Sequence, residues 1–138
     1  MATRRRAREV TLQLLYEYDF GTERSRSDRD QFIETRMRNH PALSDFARSL
    51  LGGVMNNRGQ IDSLLARHSS NWSISRMAVI DRNILRLGIY EIVFGKTPGR
   101  VAINEAIEIA KRYGDRKSRG FVNGILDRIL SESKQAAR

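Results

Sequence analysis

Apolar positions recur at helical spacing along almost the whole chain and nowhere alternate with a period of two. Ala7, Val10, Leu14 and Tyr18, widened by Leu15, predict a helix over about residues 4–20, closed by Gly21. Polar residues 21–30 predict a loop. A short helix near 28–38 would bury Phe32, Ile33 and Met37 and end before Pro41. Ser44 and Asp45 offer an N-cap for the stripe Phe46, Ala47, Leu50, Leu51, Val54 and Met55. Two glycines inside that stripe, Gly52 and Gly53, each cost about 1 kcal/mol relative to alanine, which predicts the close approach of another helix. Asn56-Asn57-Arg58-Gly59 supplies a break, after which Ile61, Leu64, Leu65 and His68 continue the pattern.

A polar linker over 69–75 holds Trp72, with Ser73 or Ser75 as the next cap. Residues 76–94 are apolar nearly all round, the signature of a central helix. Gly95 to Gly99 form a turn. Over 101–113 the pattern is cleanly amphipathic. Ala102, Ile103, Ala106, Ile107, Ile109, Ala110 and Tyr113 share one face; Asn104, Glu105, Glu108, Lys111 and Arg112 share the other. Gly114 closes this helix. Ser118 caps a last one over about 119–131, burying Phe121, Val122, Ile125, Leu126 and Ile129, and the polar tail from about Ser131 is expected to fray. The reading is all-α, with six or seven helices joined by short loops in an antiparallel bundle.

The 138 residues suit one domain spanning 1–138, able to bury roughly 68% of its unfolded surface without a staple. No cysteine is present, so disulfides and thiolate metal sites are excluded, which fits a reducing cytoplasm. No apolar run reaches the roughly 18 residues of a membrane span, and no signal peptide is evident. The sequon Asn71-Trp72-Ser73 reads as a chance match in that setting.

The net charge of +9 points toward a polyanion. It is concentrated in two places. Arg4, Arg5, Arg6 and Arg8 stand with no acid among residues 1–8, and Lys111, Arg112, Arg116, Lys117 and Arg119 face only Asp115.

No catalytic site emerges. His40 and His68 lie outside any ligand motif, and the glycines form no phosphate-cradling loop after a strand. Glu105 and Glu108 lie on the solvent face, where Glu108 can pair with Arg112 at i+4. Asp81 and Glu91 flank the apolar face of the central helix, and a carboxylate there must find a partner. Arg76, Arg82 or Arg86 would make an internal pair; otherwise one acid faces outward and is completed by a partner protein.

Arginine suits an RNA surface because its planar fork binds phosphate bidentately and stacks on bases. On helix one, Arg5, Glu9, Leu12 and Tyr16 fall on the face away from the core stripe, with Gln13 beside them. At the start of the last helix, Lys117, Arg119 and Phe121 join backbone N–H groups that attract anions. The competing reading is a solvated basic arm, with Phe121 in the core.

At this point the chain resembles a known family. Arg4-Arg5-Arg6-Ala7-Arg8-Glu9 with Gln13 and Tyr16, then Asp81-Arg82-Asn83-Ile84-Leu85-Arg86 leading to Tyr90-Glu91, are similar to NusB proteins. So are Val101 to Lys111, and Ser118 followed by Phe121-Val122-Asn123-Gly124-Ile125-Leu126-Asp127. The resemblance runs from residue 4 to about 130. It implies an all-α fold of two small helical bundles. It also implies binding of boxA, a single-stranded signal in ribosomal RNA leaders, as a heterodimer with the ribosomal protein NusE, within the RNA polymerase antitermination complex. Carried over residue by residue, Arg4, Arg5, Arg6, Arg8, Gln13, Tyr16, Lys111, Lys117 and Phe121 form the RNA surface. Asp81 lies at the NusE interface, near Arg82 and Glu91. No cofactor, metal or membrane is implied, and no enzymatic activity.

One departure stands out: Lys117 occupies a position where family members often carry an acid. Two other readings compete. One is a helical adaptor that touches RNA or ribosomes non-specifically. The other is an accessory-domain relative of RNA cytosine-5 methyltransferases, which the lack of a cofactor loop and of a cysteine nucleophile disfavours.

Overall fold

A computed structural model describes residues 2–38, 40–69 and 72–136. Seven α-helices account for most of them: α1 (Arg4–Asp19), α2 (Arg26–Met37), α3 (Pro41–Asn56), α4 (Arg58–His68), α5 (Val79–Ile89), α6 (Gly99–Tyr113) and α7 (Ser118–Ala136). No strand occurs among the described residues. The chain divides into two compact units, Met1–Gly52 and Gly53–Arg138.

In the first unit, Thr3 caps α1 by accepting the Arg6 N–H at 3.0 Å. Gly21, at φ +80°, ends it in the left-handed region that glycine tolerates best. α1 is buried nearly all round from Ala7 to Leu15. Glu9 and Leu12, expected on an outward face, are therefore buried, at 6% and 2% exposure. The 3.6-residue pattern marks one apolar stripe and does not reveal that a helix is enclosed on other sides as well. Thr11 ties α1 to α3 through the Ala47 carbonyl at 3.3 Å. Arg48 joins α3 to α2, with Asp30 at 3.2 Å and Glu34 at 2.6 Å.

Pro41 opens α3, ahead of the expected cap at Ser44. Proline is suited to the first helical position, where its missing N–H is not needed. Ser44 instead lies inside the first turn and is buried.

In the second unit, α5 packs against α4, α6 and α7. Ile84, Leu85, Ile89, Ile103, Ile109, Ile125, Leu126 and Ile129 are almost wholly buried. Gly53 allows the close approach that its sequence context predicts: a Cβ there would come within 2.2 Å of the Tyr90 ring. α5 is shorter than the expected 76–94 at both ends. Ile74–Arg76 form a separate 3-10 turn, and Tyr90–Phe94 widen into a π turn, with the Gly95 N–H donating to the Tyr90 carbonyl at 2.8 Å. Val93 and Phe94 consequently face solvent at 37% each. Tyr113, expected on the buried face of α6, is 41% exposed at the helix end. α7 continues to Ala136, past the point where fraying was expected. Asn71, the acceptor of the sequon, lies outside the described residues.

Candidate nucleic-acid interface

Among the α1 cations the structure separates roles. Arg4 and Arg5 are exposed. Arg6 is half-buried and pairs with the buried Glu9 at 3.3 Å. Arg8 is 4% exposed, its guanidinium 5.2 Å from the Phe46 ring centre, and Arg4 lies over the same ring at 4.9 Å. These are cation–π contacts, which fix the arginine stems while Arg4 keeps contact with water. Gln13 and Tyr16 are exposed further along the helix. The Arg24 guanidinium, 2.7 Å from Glu17, holds that carboxyl below its ordinary pKa.

In the second unit, Arg116 and Lys117 in the turn between α6 and α7 and Arg119 in the first turn of α7 are all exposed. Lys111 is also exposed and pairs with Glu108 at 3.1 Å, the partner expected for Arg112. Phe121 is half-buried, between the two expectations of core and surface.

Asp115, read from sequence as a subtraction from the positive charge, is the cap that builds this turn. Its Oδ1 accepts the N–H groups of Lys117 at 2.8 Å and Ser118 at 3.1 Å. Its own N–H donates to the Ser118 hydroxyl at 3.0 Å. Ser118, expected as the cap of a helix starting at about 119, is the first residue of α7 and is 1% exposed. A Cβ at Gly114 would lie 2.4 Å from that hydroxyl, so a glycine is required beside it.

Asp81 meets the same hydroxyl. It is 8% exposed, and its Oδ1 is buried without a hydrogen-bond partner. Burial pushes its pKa up, the Ser118 hydroxyl opposes this, and the negative charge of Asp115 adds to it. Among the described residues no arginine makes an internal ion pair with Asp81, one of the two alternatives the sequence left open. Arg86 instead binds Asp62 through two contacts, at 2.8 and 3.1 Å, and Arg82 donates to the Ile74 carbonyl at 3.2 Å. Glu91 is 2% exposed and accepts the Thr97 hydroxyl at 2.7 Å. Thus Asp81, a candidate partner contact, adjoins the turn that carries Lys117 and the start of α7, which carries Arg119.

Sequence reasoning passed over Phe20, which is 62% exposed with its ring 4.9 Å from that of Tyr16. Its place immediately before the helix-ending Gly21 is the one signal that could have exposed it. Trp72 is 55% exposed. His68 pairs with Glu132 and His40 is exposed. Among the described residues, no three His, Cys, Asp or Glu side chains could together hold a metal, and no helix is long and apolar enough to cross a membrane.

The NusB family model matches residues 5–131. The transcription antitermination protein NusB of Trichlorobacter lovleyi is 44% identical, covering all of this chain and 97% of its own length. NusB of T. maritima superposes with a TM-score of 0.83 at 41% identity, covering 96% of this chain and 94% of that one. A crystal structure of the antitermination factors NusB and NusE with double-stranded RNA superposes at 0.83 with 27% identity, covering 94% and 96%. Family model, identity and fold agree over nearly the whole length, and the chain belongs to the NusB family of transcription antitermination proteins.

Proposed function

We propose that this protein binds single-stranded boxA-type RNA of ribosomal RNA transcripts, together with NusE, within the antitermination complex of RNA polymerase. The observation that carries the reading is the cationic turn before α7, whose backbone is held by the reciprocal bonds of Asp115 and Ser118. A capped turn offers its cations to phosphate without first having to be ordered. Arg4, Arg5, Gln13 and Tyr16 supply charge, an amide and an aromatic plane on α1. Lys111 on α6, Lys117 in the turn, and Arg119 and Phe121 on α7 supply charge and a second aromatic plane. Arg6 and Arg8 act from behind, through Glu9 and Phe46.

NusE recognition falls to the surroundings of Asp81, with Arg82 and Glu91 holding the local packing. The related crystal structure of NusB and NusE with double-stranded RNA supports NusE and RNA as partners.

The test is a titration of labelled boxA-like RNA against a scrambled strand at fixed salt, with and without NusE. Preference for the boxA-like strand, strengthened by NusE, is expected. Equal affinity for both strands would favour the non-specific adaptor reading. Asp81→Lys should weaken NusE binding more than RNA binding by the isolated protein, with folding checked by circular dichroism.

A further inference from the structure

We infer that Phe20, braced by Tyr16, is a stacking platform for an unpaired RNA base, so that the RNA face of α1 extends past the end of the helix. The inference rests on the reading of α1 as RNA-binding.

No other aromatic ring among the described residues is as exposed as Phe20, at 62%. Its backbone is pinned. The Phe20 N–H donates to the Glu17 carbonyl at 3.1 Å, Gly21 to Tyr18 at 3.0 Å and Thr22 to Glu17 at 3.1 Å. With Gly21 in the left-handed region, the chain turns away immediately after the ring. The ring is also held from the side: its centre lies 4.9 Å from that of Tyr16, with the planes tilted by 54°. A large apolar ring fixed outward in this way forfeits burial and gains an open face.

The rest of the helix says what that face receives. At about 100° per residue, Arg5, Gln13, Tyr16 and Phe20 share an arc of about 80°, and about 22 Å separates the first from the last. The strip begins with exposed arginines, continues with an amide and ends in two rings. No acid is exposed along it: Glu9 is buried beneath Arg6, and Glu17 is held by Arg24. Phosphate, base edge and base face are the three groups that such a strip matches, and the match requires bases that are not stacked in a duplex.

The experiment measures binding of the full chain to a labelled boxA-like single strand and to the same strand annealed to its complement. Phe20→Ala is expected to weaken single-strand binding by about 5- to 150-fold, the loss of one base–aromatic stack. Duplex binding should change by less than about twofold, the salt dependence should stay the same, and Phe20→Trp should restore affinity. Phe20→Leu retains an apolar contact with Tyr16 and removes the π face, so it should behave as alanine does if stacking matters. Unchanged single-strand affinity in Phe20→Ala, while Arg5→Ala and Lys117→Ala lose theirs, would overturn the platform and leave the proposed function standing. If none of these substitutions alters RNA affinity, the RNA reading itself fails. Weakened NusE binding in Phe20→Ala without RNA present would assign the ring to a protein contact instead.

Discussion

Ser118 and Asp115 cap each other: the Ser118 hydroxyl accepts the Asp115 N–H at 3.0 Å, and the Ser118 N–H returns to Asp115 Oδ1 at 3.1 Å. This reciprocal pair closes the α6–α7 turn and starts α7. Ser118→Ala removes one half of it from a site that is 1% exposed. A loss of about 1–2 kcal/mol is expected, measured as a shift of the urea midpoint at constant m-value.

Asp81, beside the same hydroxyl, makes stability depend on pH. The hydroxyl has one proton to offer, and both Asp115 and Asp81 lie within its reach. Burial raises the Asp81 pKa, so the folded state holds the Asp81 carboxyl proton more tightly than the unfolded chain does. The favourable effect is therefore complete below the unfolded carboxylate pKa, and stability falls as pH rises from there through the raised folded value. Asp81→Asn removes that titration. Its stability relative to the parent should increase with pH across the window, as measured by urea unfolding at a series of pH values. A constant difference would count against the assignment.

The two adjacent glycines of α3 should respond in opposite ways. A Cβ at Gly53 meets the Tyr90 ring at 2.2 Å, whereas one at Gly52 meets nothing within 4 Å. Gly53→Ala is expected to destabilise by about 1–3 kcal/mol through overpacking. Gly52→Ala should be neutral or stabilise by up to about 1 kcal/mol through helix propensity. Thermal unfolding of the two variants side by side makes the comparison.

RNA affinity should depend on salt. If four or five of Arg4, Arg5, Lys111, Lys117 and Arg119 neutralise phosphates, log affinity falls against log salt with a slope of about −3. Titrations across a salt series measure it; a slope near zero would leave these cations without the assigned role.

Periodicity was most informative where a helix has one apolar face. For α6 the pattern predicts 101–113, and the helix runs Gly99–Tyr113. It failed where burial comes from more than one side. Glu9 and Leu12 look outward on a single-stripe projection of α1 and are buried. It also failed where the backbone changes its winding, because Ile74–Arg76 and Tyr90–Phe94 carry the same apolar residues as an ordinary helix. At the candidate interface, residue types revealed the charge but not its construction. Nothing in the string of letters shows that Asp115 spends its carboxylate on two backbone N–H groups, or that Asp81 is left with a buried oxygen.

The wide turn from Tyr90 to Phe94 bears on how the chain tolerates changes in length. A π turn holds one residue more than an α turn closing the same gap. The spare peptide sits after Ile84, Leu85 and Ile89, the fully buried positions of α5. Losing one residue here lets the segment rewind to ordinary spacing, and every core position upstream keeps its register. The end of α5 is thus a place where a single-residue deletion can be absorbed.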